Sequence, residues 1–167
     1  MKDWARQAKP NGWFTIAPLN ECNLDKFLGT IRGPTGTPYE GGIFHVRFNL
    51  NGYYPFRPPR VWFVTRILHP NIDSHGAICT DLFGSGWAPS FTLEKVLVSV
   101  ASILDEPIWE DPIQGALPSE WTSDQDEFQR RALHWTRKYA TGHIIFPGEG
   151  AGDFYTVSEM AYGAKRW

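Results

Sequence analysis

Between residues 43 and 50 the chain sets apolar Ile43, Phe44, Val46, Phe48 and Leu50 against His45, Arg47 and Asn49. That near-alternation predicts a half-buried β-strand. Similar runs at 13–18 (WFTIAP), 24–32 (LDKFLGTIR) and 60–65 (RVWFVT) predict three more strands, with turns at Gly33-Pro34 and Gly41-Gly42, giving a four-stranded antiparallel meander. Ahead of them, residues 2–9 suit a short helix stopped by Pro10-Asn11-Gly12. From 66 to 91 the periodicity lapses into Pro, Gly, Ser and Asp, and so long a loop in a compact domain is either functional or disordered. Then the period becomes helical: Leu93, Val96, Leu97, Val100, Ile103 and Leu104, with Thr92 as cap, Glu94 in the first turn and Pro107 as terminator. A second helix is expected to start at Asp124, three before Glu127, to carry Phe128, Ala132, Trp135 and Tyr139 on one line, and to stop at Gly142. Strands first and helices after predict an α+β fold with the helices segregated from the sheet.

Composition narrows the function. A chain of 167 residues with 42% apolar and 15% aromatic residues can bury a sizeable core as one domain. A net charge of -2 gives no electrostatic case for nucleic-acid binding, and pairs such as Arg57/Arg60 and Arg130/Arg131 read as solvated faces. No apolar run reaches membrane-spanning length, and the opening MKDWARQAKPNGW lacks the apolar stretch of a secretion signal. Two cysteines, Cys22 and Cys79, make no disulfide framework and suit a reducing compartment. The expected location is cytoplasmic, with the nucleus also open to a eukaryotic chain.

Chemistry concentrates in HPNIDSHGAICTD, 69–81. Cys79 could be a nucleophile, a metal ligand or a small core residue. His75 and Cys79 are four apart with no second cluster, which is poor support for a metal. His69 reads as a turn residue bonded to backbone, and His75 as solvated. Asn71, a neutral donor eight residues before Cys79, could stabilise an oxyanion without titrating, or could simply tie the loop to backbone. Asp111 sits before Pro112 among Asp105, Glu106 and Glu110, where an exposed loop carboxylate is the simplest reading. Lysine is scarce, six against ten arginines, and none lies within fifteen positions of Cys79. Genomic composition is the simplest account of that skew.

Taken together, GPTGTPYEGGIF (33–44), YPFRPPRVWF (54–63), HPN (69–71), GAICTD (76–81), WAPSFTLEKVLVSVASIL (87–104), EDP (110–112) and ALHWTRKYA (132–140) resemble the catalytic domain of ubiquitin-conjugating (E2) enzymes in order and spacing. Departures are a short first helix, Thr80 after Cys79 in place of an aliphatic, and Ile108-Trp109 in place of Asn-Pro. The resemblance implies a UBC fold over residues 1–140. It implies that Cys79 takes ubiquitin or a ubiquitin-like protein from an activating enzyme (E1) as a thioester and passes it to a substrate lysine, without metal or cofactor. By the same resemblance Asn71 and Asp111 serve the transfer, and His69 and Pro70 shape the loop. Phe56, Pro89 and Ser90 would meet a RING-type ligase (E3), and Lys2, Arg6 and Lys9 the activating enzyme. A carboxylate at Asp111 would position the incoming amine, since its charge raises a lysine pKa. The alternatives are a non-catalytic E2-like ubiquitin-binding scaffold, against which Cys79 argues, and a thiol hydrolase, which lacks a placed base.

The resemblance stops at residue 140. The extension 141–167 carries Ile144, Ile145, Phe146, Phe154, Tyr155, Val157, Met160, Tyr162 and Trp167, too many apolar groups for a solvated tail. It is expected to fold back on the domain, with a helix from Thr156 to Ala164 capped through Glu159; the alternative is a tail that binds a partner.

Overall fold

The computed structural model describes residues 12–20, 23–50, 52–78, 86–113 and 124–142. Among them are four strands, β1 (Phe14–Asn20), β2 (Asn23–Arg32), β3 (Ile43–Asn49) and β4 (Arg60–Phe63), and two helices, α1 (Leu93–Asp105) and α2 (Gln125–Tyr139). The sheet is an antiparallel meander in the order β1-β2-β3-β4, as the alternating runs require. The expected helix over 2–9, the tail helix over 156–164, both cysteines, and Lys2, Arg6 and Lys9 lie outside the described residues.

Both helices begin where their caps predict. The Thr92 hydroxyl accepts from the Lys95 N–H at 3.3 Å, and the Asp124 carboxylate from the Glu127 N–H at 2.9 Å. Val96, Leu97, Val100, Ile103 and Leu104 of α1 are all buried, matching the helical spacing. On α2 the buried line is Phe128, Ala132 and Thr136, continued by Ala140. Trp135 and Tyr139 stand beside that line rather than on it, where the Arg66 guanidinium lies 4.9 Å and 5.4 Å from their rings. Thr136 escapes a search for apolar periodicity because its hydroxyl, bonded to the Ala132 carbonyl at 3.0 Å, hides within the helix.

One face of the sheet packs against the helices through Ile31, Phe44, Val46, Phe48 and Phe63, together with the buried residues of α1 and α2. Gly29 permits a close approach: a Cβ there would stand 2.9 Å from the Phe48 ring and 3.0 Å from Leu97. β3 departs from the expected half-burial. His45 and Arg47, on its other face, are only 9% and 7% exposed. A central strand has neighbours on both sides, and here they supply partners. Thr30 Oγ1 lies 3.2 Å from His45 Nδ1, the Thr65 hydroxyl accepts from the His45 N–H, and Arg47 stacks on Trp62 at 5.6 Å. Burial pushes the His45 pKa down to about 4, with the Gly142 backbone opposing the shift.

The β2–β3 connection closes at a point only glycine can occupy. A Cβ on Gly33 would lie 1.7 Å from the Tyr39 carbonyl oxygen. The Gly33 N–H donates to the Gly42 carbonyl at 2.9 Å, and the Gly42 N–H returns to Tyr39 at 3.0 Å. Tyr39 is thereby held inside the domain, 1% exposed, with burial raising its pKa well above the ordinary value.

Candidate active site

Sequence reasoning expects a long loop after β4, and the described part, 66–78, is loop without being loose. Residues 67–72 are buried. Isolated bridges pair Trp62 with Ala77, His69 with Ile72 and Ile72 with Ile78. The Asp73 carboxylate gathers the N–H groups of His75 and Ala77, each at 2.8 Å, and Gly76 turns the chain at a φ of 82°. Ile78, the residue before Cys79, is thus pinned at 5% exposure. Cys79 itself is outside the described residues.

The His-Pro-Asn turn at 69–71 is stitched into the domain from three sides. His69 is fully buried. Its Nε2 lies 2.7 Å from the Ile103 carbonyl near the end of α1, and its Nδ1 accepts the Asn71 N–H at 3.0 Å. A carbonyl only accepts, so Nε2 carries the hydrogen and the ring is neutral. Burial agrees, lowering its pKa to about 4 against a smaller opposing pull from the Ile103 carbonyl. Tyr39 closes the other side: its ring lies 5.6 Å from the imidazole, and its hydroxyl donates to the Leu68 carbonyl at 2.9 Å.

The third side is the segment after α1. The Asn71 carboxamide accepts the Ile108 N–H at 2.8 Å and donates to the Ile108 carbonyl at 2.8 Å and the Asp111 carbonyl at 3.3 Å. The Ile113 N–H donates to the Pro70 carbonyl at 2.9 Å. Both amide hydrogens of Asn71 therefore have backbone partners, the Asp111 contact being the longer. Asp111 joins the site through its main chain, while its side chain is exposed. Trp109 fixes the same segment to α2, edge-on to Phe128 with ring centroids 4.9 Å apart. Tyr39 and Trp109 are site-building residues that sequence reasoning passed over. An aromatic amid turn residues, and one between two acidic stretches, were the only signals available. Among the described residues no three His, Cys, Asp or Glu side chains are grouped to hold a cation.

A sequence profile of the ubiquitin-conjugating enzyme family matches residues 1–136. This chain belongs to that family. Its sheet-and-helix arrangement is the UBC fold. A crystal structure of a candidate ubiquitin conjugating enzyme from Plasmodium yoelii superposes with a TM-score of 0.71 at 36% identity, over 78% of this chain and 84% of that one. The E2 domain of a Toxoplasma gondii ubiquitin conjugating enzyme gives 0.70 at 35% identity, over 76% and 88%.

On this ubiquitin-conjugating enzyme the residues expected to face a ligase lie on two segments that Trp87 joins. Trp87 donates its indole N–H to the Pro55 carbonyl at 2.8 Å and stands between Tyr54 and Phe91, at 6.2 Å and 5.7 Å. That contact brings the neighbour of Phe56 to within two residues of Pro89. Phe56 is 78% exposed, so it is not a core residue, and Pro89 and Ser90 are exposed as well.

Proposed function

We propose that this chain accepts ubiquitin or a ubiquitin-like protein from an activating enzyme as a thioester on Cys79 and transfers it to a substrate lysine, with help from a RING-type ligase. The observation that carries the reading is the stitched pairing of the 69–71 turn with residues 108–113, in a chain of this family. It makes a rigid frame ahead of Cys79 in sequence and beside the exposed carboxylate of Asp111.

The chemistry needs little from the protein in the first step. The Cys79 sulfur attacks the thioester carbonyl of the incoming modifier, and the activating enzyme's thiolate leaves. A thiol with an ordinary pKa of about 8.5 is a few per cent ionised at neutral pH and intrinsically nucleophilic. His69 is not a base for this step, because it is buried, neutral and bonded at both nitrogens. In the second step an uncharged lysine amine attacks the Cys79 thioester. The tetrahedral oxyanion collapses, the isopeptide bond forms, Cys79 leaves as thiolate and the amine's proton passes to water. Asp111 orients the amine. Asn71 acts first by fixing the 108–111 backbone. Donation to the oxyanion would redirect its longer bond, the one to the Asp111 carbonyl.

The deciding experiment is loading with activating enzyme, ubiquitin and ATP, resolved on a non-reducing gel. Cys79→Ser converts a reductant-sensitive adduct into a reductant-resistant oxyester, while Cys22→Ser changes little. A charged adduct that persists in Cys79→Ala would overturn the assignment.

A further inference from the structure

The two faces of the sheet have opposite character. Opposite the core face, the register puts Lys26 and Arg32 of β2, Arg47 of β3 and Arg60 of β4 on one side of the sheet, with Lys26 and Arg60 flanking Asn49. No Asp or Glu occupies an outward position on the described strands, although the chain as a whole has a net charge of -2. Burial on this face is uneven. Trp13, just ahead of β1, is 41% exposed, and Thr15 and Ala17 of β1 are exposed; at the centre Leu28, His45 and Arg47 fall to between 7% and 9%. The buried residues of both helices belong to the core on the other side.

The chain leaves α2 onto this face. The Ile43 N–H donates to the Ala140 carbonyl at 2.9 Å, and Thr141 bridges Ile43 in parallel. A Cβ on Gly142 would stand 2.7 Å from Ile43 Cδ1, and Ile43 is an outward position of β3, in register with Arg32. Beyond Gly142 the chain continues for 25 residues that carry nine large apolar side chains. Between 143 and 164 the segment includes Glu149, Asp153 and Glu159 and no Lys or Arg, its two cations, Lys165 and Arg166, falling at the far end. Extended at about 3.3 Å per residue, such a segment spans far more than a four-stranded sheet, which is roughly 15–20 Å wide.

We infer that residues 143–167 cover the outer face of β2, β3 and β4, their apolar side chains on Leu28, Ile43 and Trp62 and their carboxylates against Lys26, Arg32 and Arg60. The segment is a built-in occupant of this face, which any partner approaching the sheet from outside must displace. The inference is independent of the transfer reading above and would stand if Cys79 carried nothing.

Hydrogen exchange on the full chain tests it. Amides of 143–167 should exchange about tenfold or more slower than in an unstructured peptide. The pair Arg32→Glu with Arg60→Glu should return them to within about twofold of peptide rates. Adding Glu149→Lys, Asp153→Lys and Glu159→Lys to that pair should restore the slowing. β3 amides report whether each variant is folded; if the arginine pair fails that check, the three tail substitutions alone must release the tail in an otherwise protected domain. Peptide-like exchange in the unmodified chain overturns the inference, as does slowing that ignores the charge reversals. Slowing that grows with protein concentration assigns the face to a second copy instead. Slowing that needs an added acidic protein or anionic vesicles assigns it to an outside partner.

Discussion

The 69–71 turn and the Phe56–Ser90 surface differ in almost every physical respect. In the turn, His69 and Asn71 are 0% and 1% exposed, and their side-chain nitrogen and oxygen atoms have partners at 2.7–3.3 Å. On the surface, Phe56 and Tyr53 leave 78% and 63% of their area in solvent. A buried polar group with all its partners rigidifies what it joins and becomes costly when one partner goes. An exposed aromatic contributes little to the fold and is available to a partner. One region is therefore held still and the other stands in solvent, and mutation should separate the two.

The largest effect should come from Asn71→Ala. It strands the Ile108 N–H and carbonyl, and about 3 kcal/mol should be lost, seen as a melting temperature lower by about 10 °C. Discharge of a loaded enzyme to free lysine should slow roughly a hundredfold, the scale of losing an oriented donor. Unchanged melting with slowed discharge would break the comparison, because Asn71 would then act only on the reacting atoms.

Acid should attack the turn next. His69 titrates at about 4 in the fold and near 6.5 when free, so below 6.5 the unfolded chain binds the extra proton. Stability is complete above pH 6.5 and drains away as pH falls toward 4, by about 3 kcal/mol from His69 alone at the full shift. Denaturant midpoints across that range measure it, and a flat profile would mean that the buried imidazole is not held neutral.

Tyr39→Phe removes only the hydroxyl that meets the Leu68 carbonyl, for about 1 kcal/mol and a few degrees of melting. The smallest effect on the fold belongs to Phe56→Ala, within about 0.5 kcal/mol by chemical denaturation. Ligase-stimulated discharge should nevertheless fall severalfold while ligase-free discharge stays put. A large loss of stability in this variant would place Phe56 with the turn rather than apart from it.

Much of this was legible in the chain. Alternation located the four strands, and Thr92 and Asp124 marked two helix starts, because those signals are local. The strand edges moved by a few residues, and β3 was misjudged as half-buried. Alternation records which side chains differ, whereas burial at His45 and Arg47 depends on neighbours distant in sequence. The same limit applied at the site. His69 as a satisfied turn residue followed from chemistry alone. The partners of Asn71, at Ile108 and Asp111, lie 37 and 40 residues away, and nothing local announces them. Trp109 and Tyr39 stayed hidden for the same reason.

Gly33 lies far from the reacting atoms in sequence, yet positional error at that point is inherited. Its missing side chain sets where Tyr39 can stand, Tyr39 seats Leu68, and the next residue, His69, aligns Asn71, which sets the height of Ile108 and Asp111. Each contact passes on the misalignment of the one before, as tolerances accumulate in an assembled instrument. The precision with which the 108–111 backbone is placed is therefore bounded by a hairpin closure remote from it in the chain.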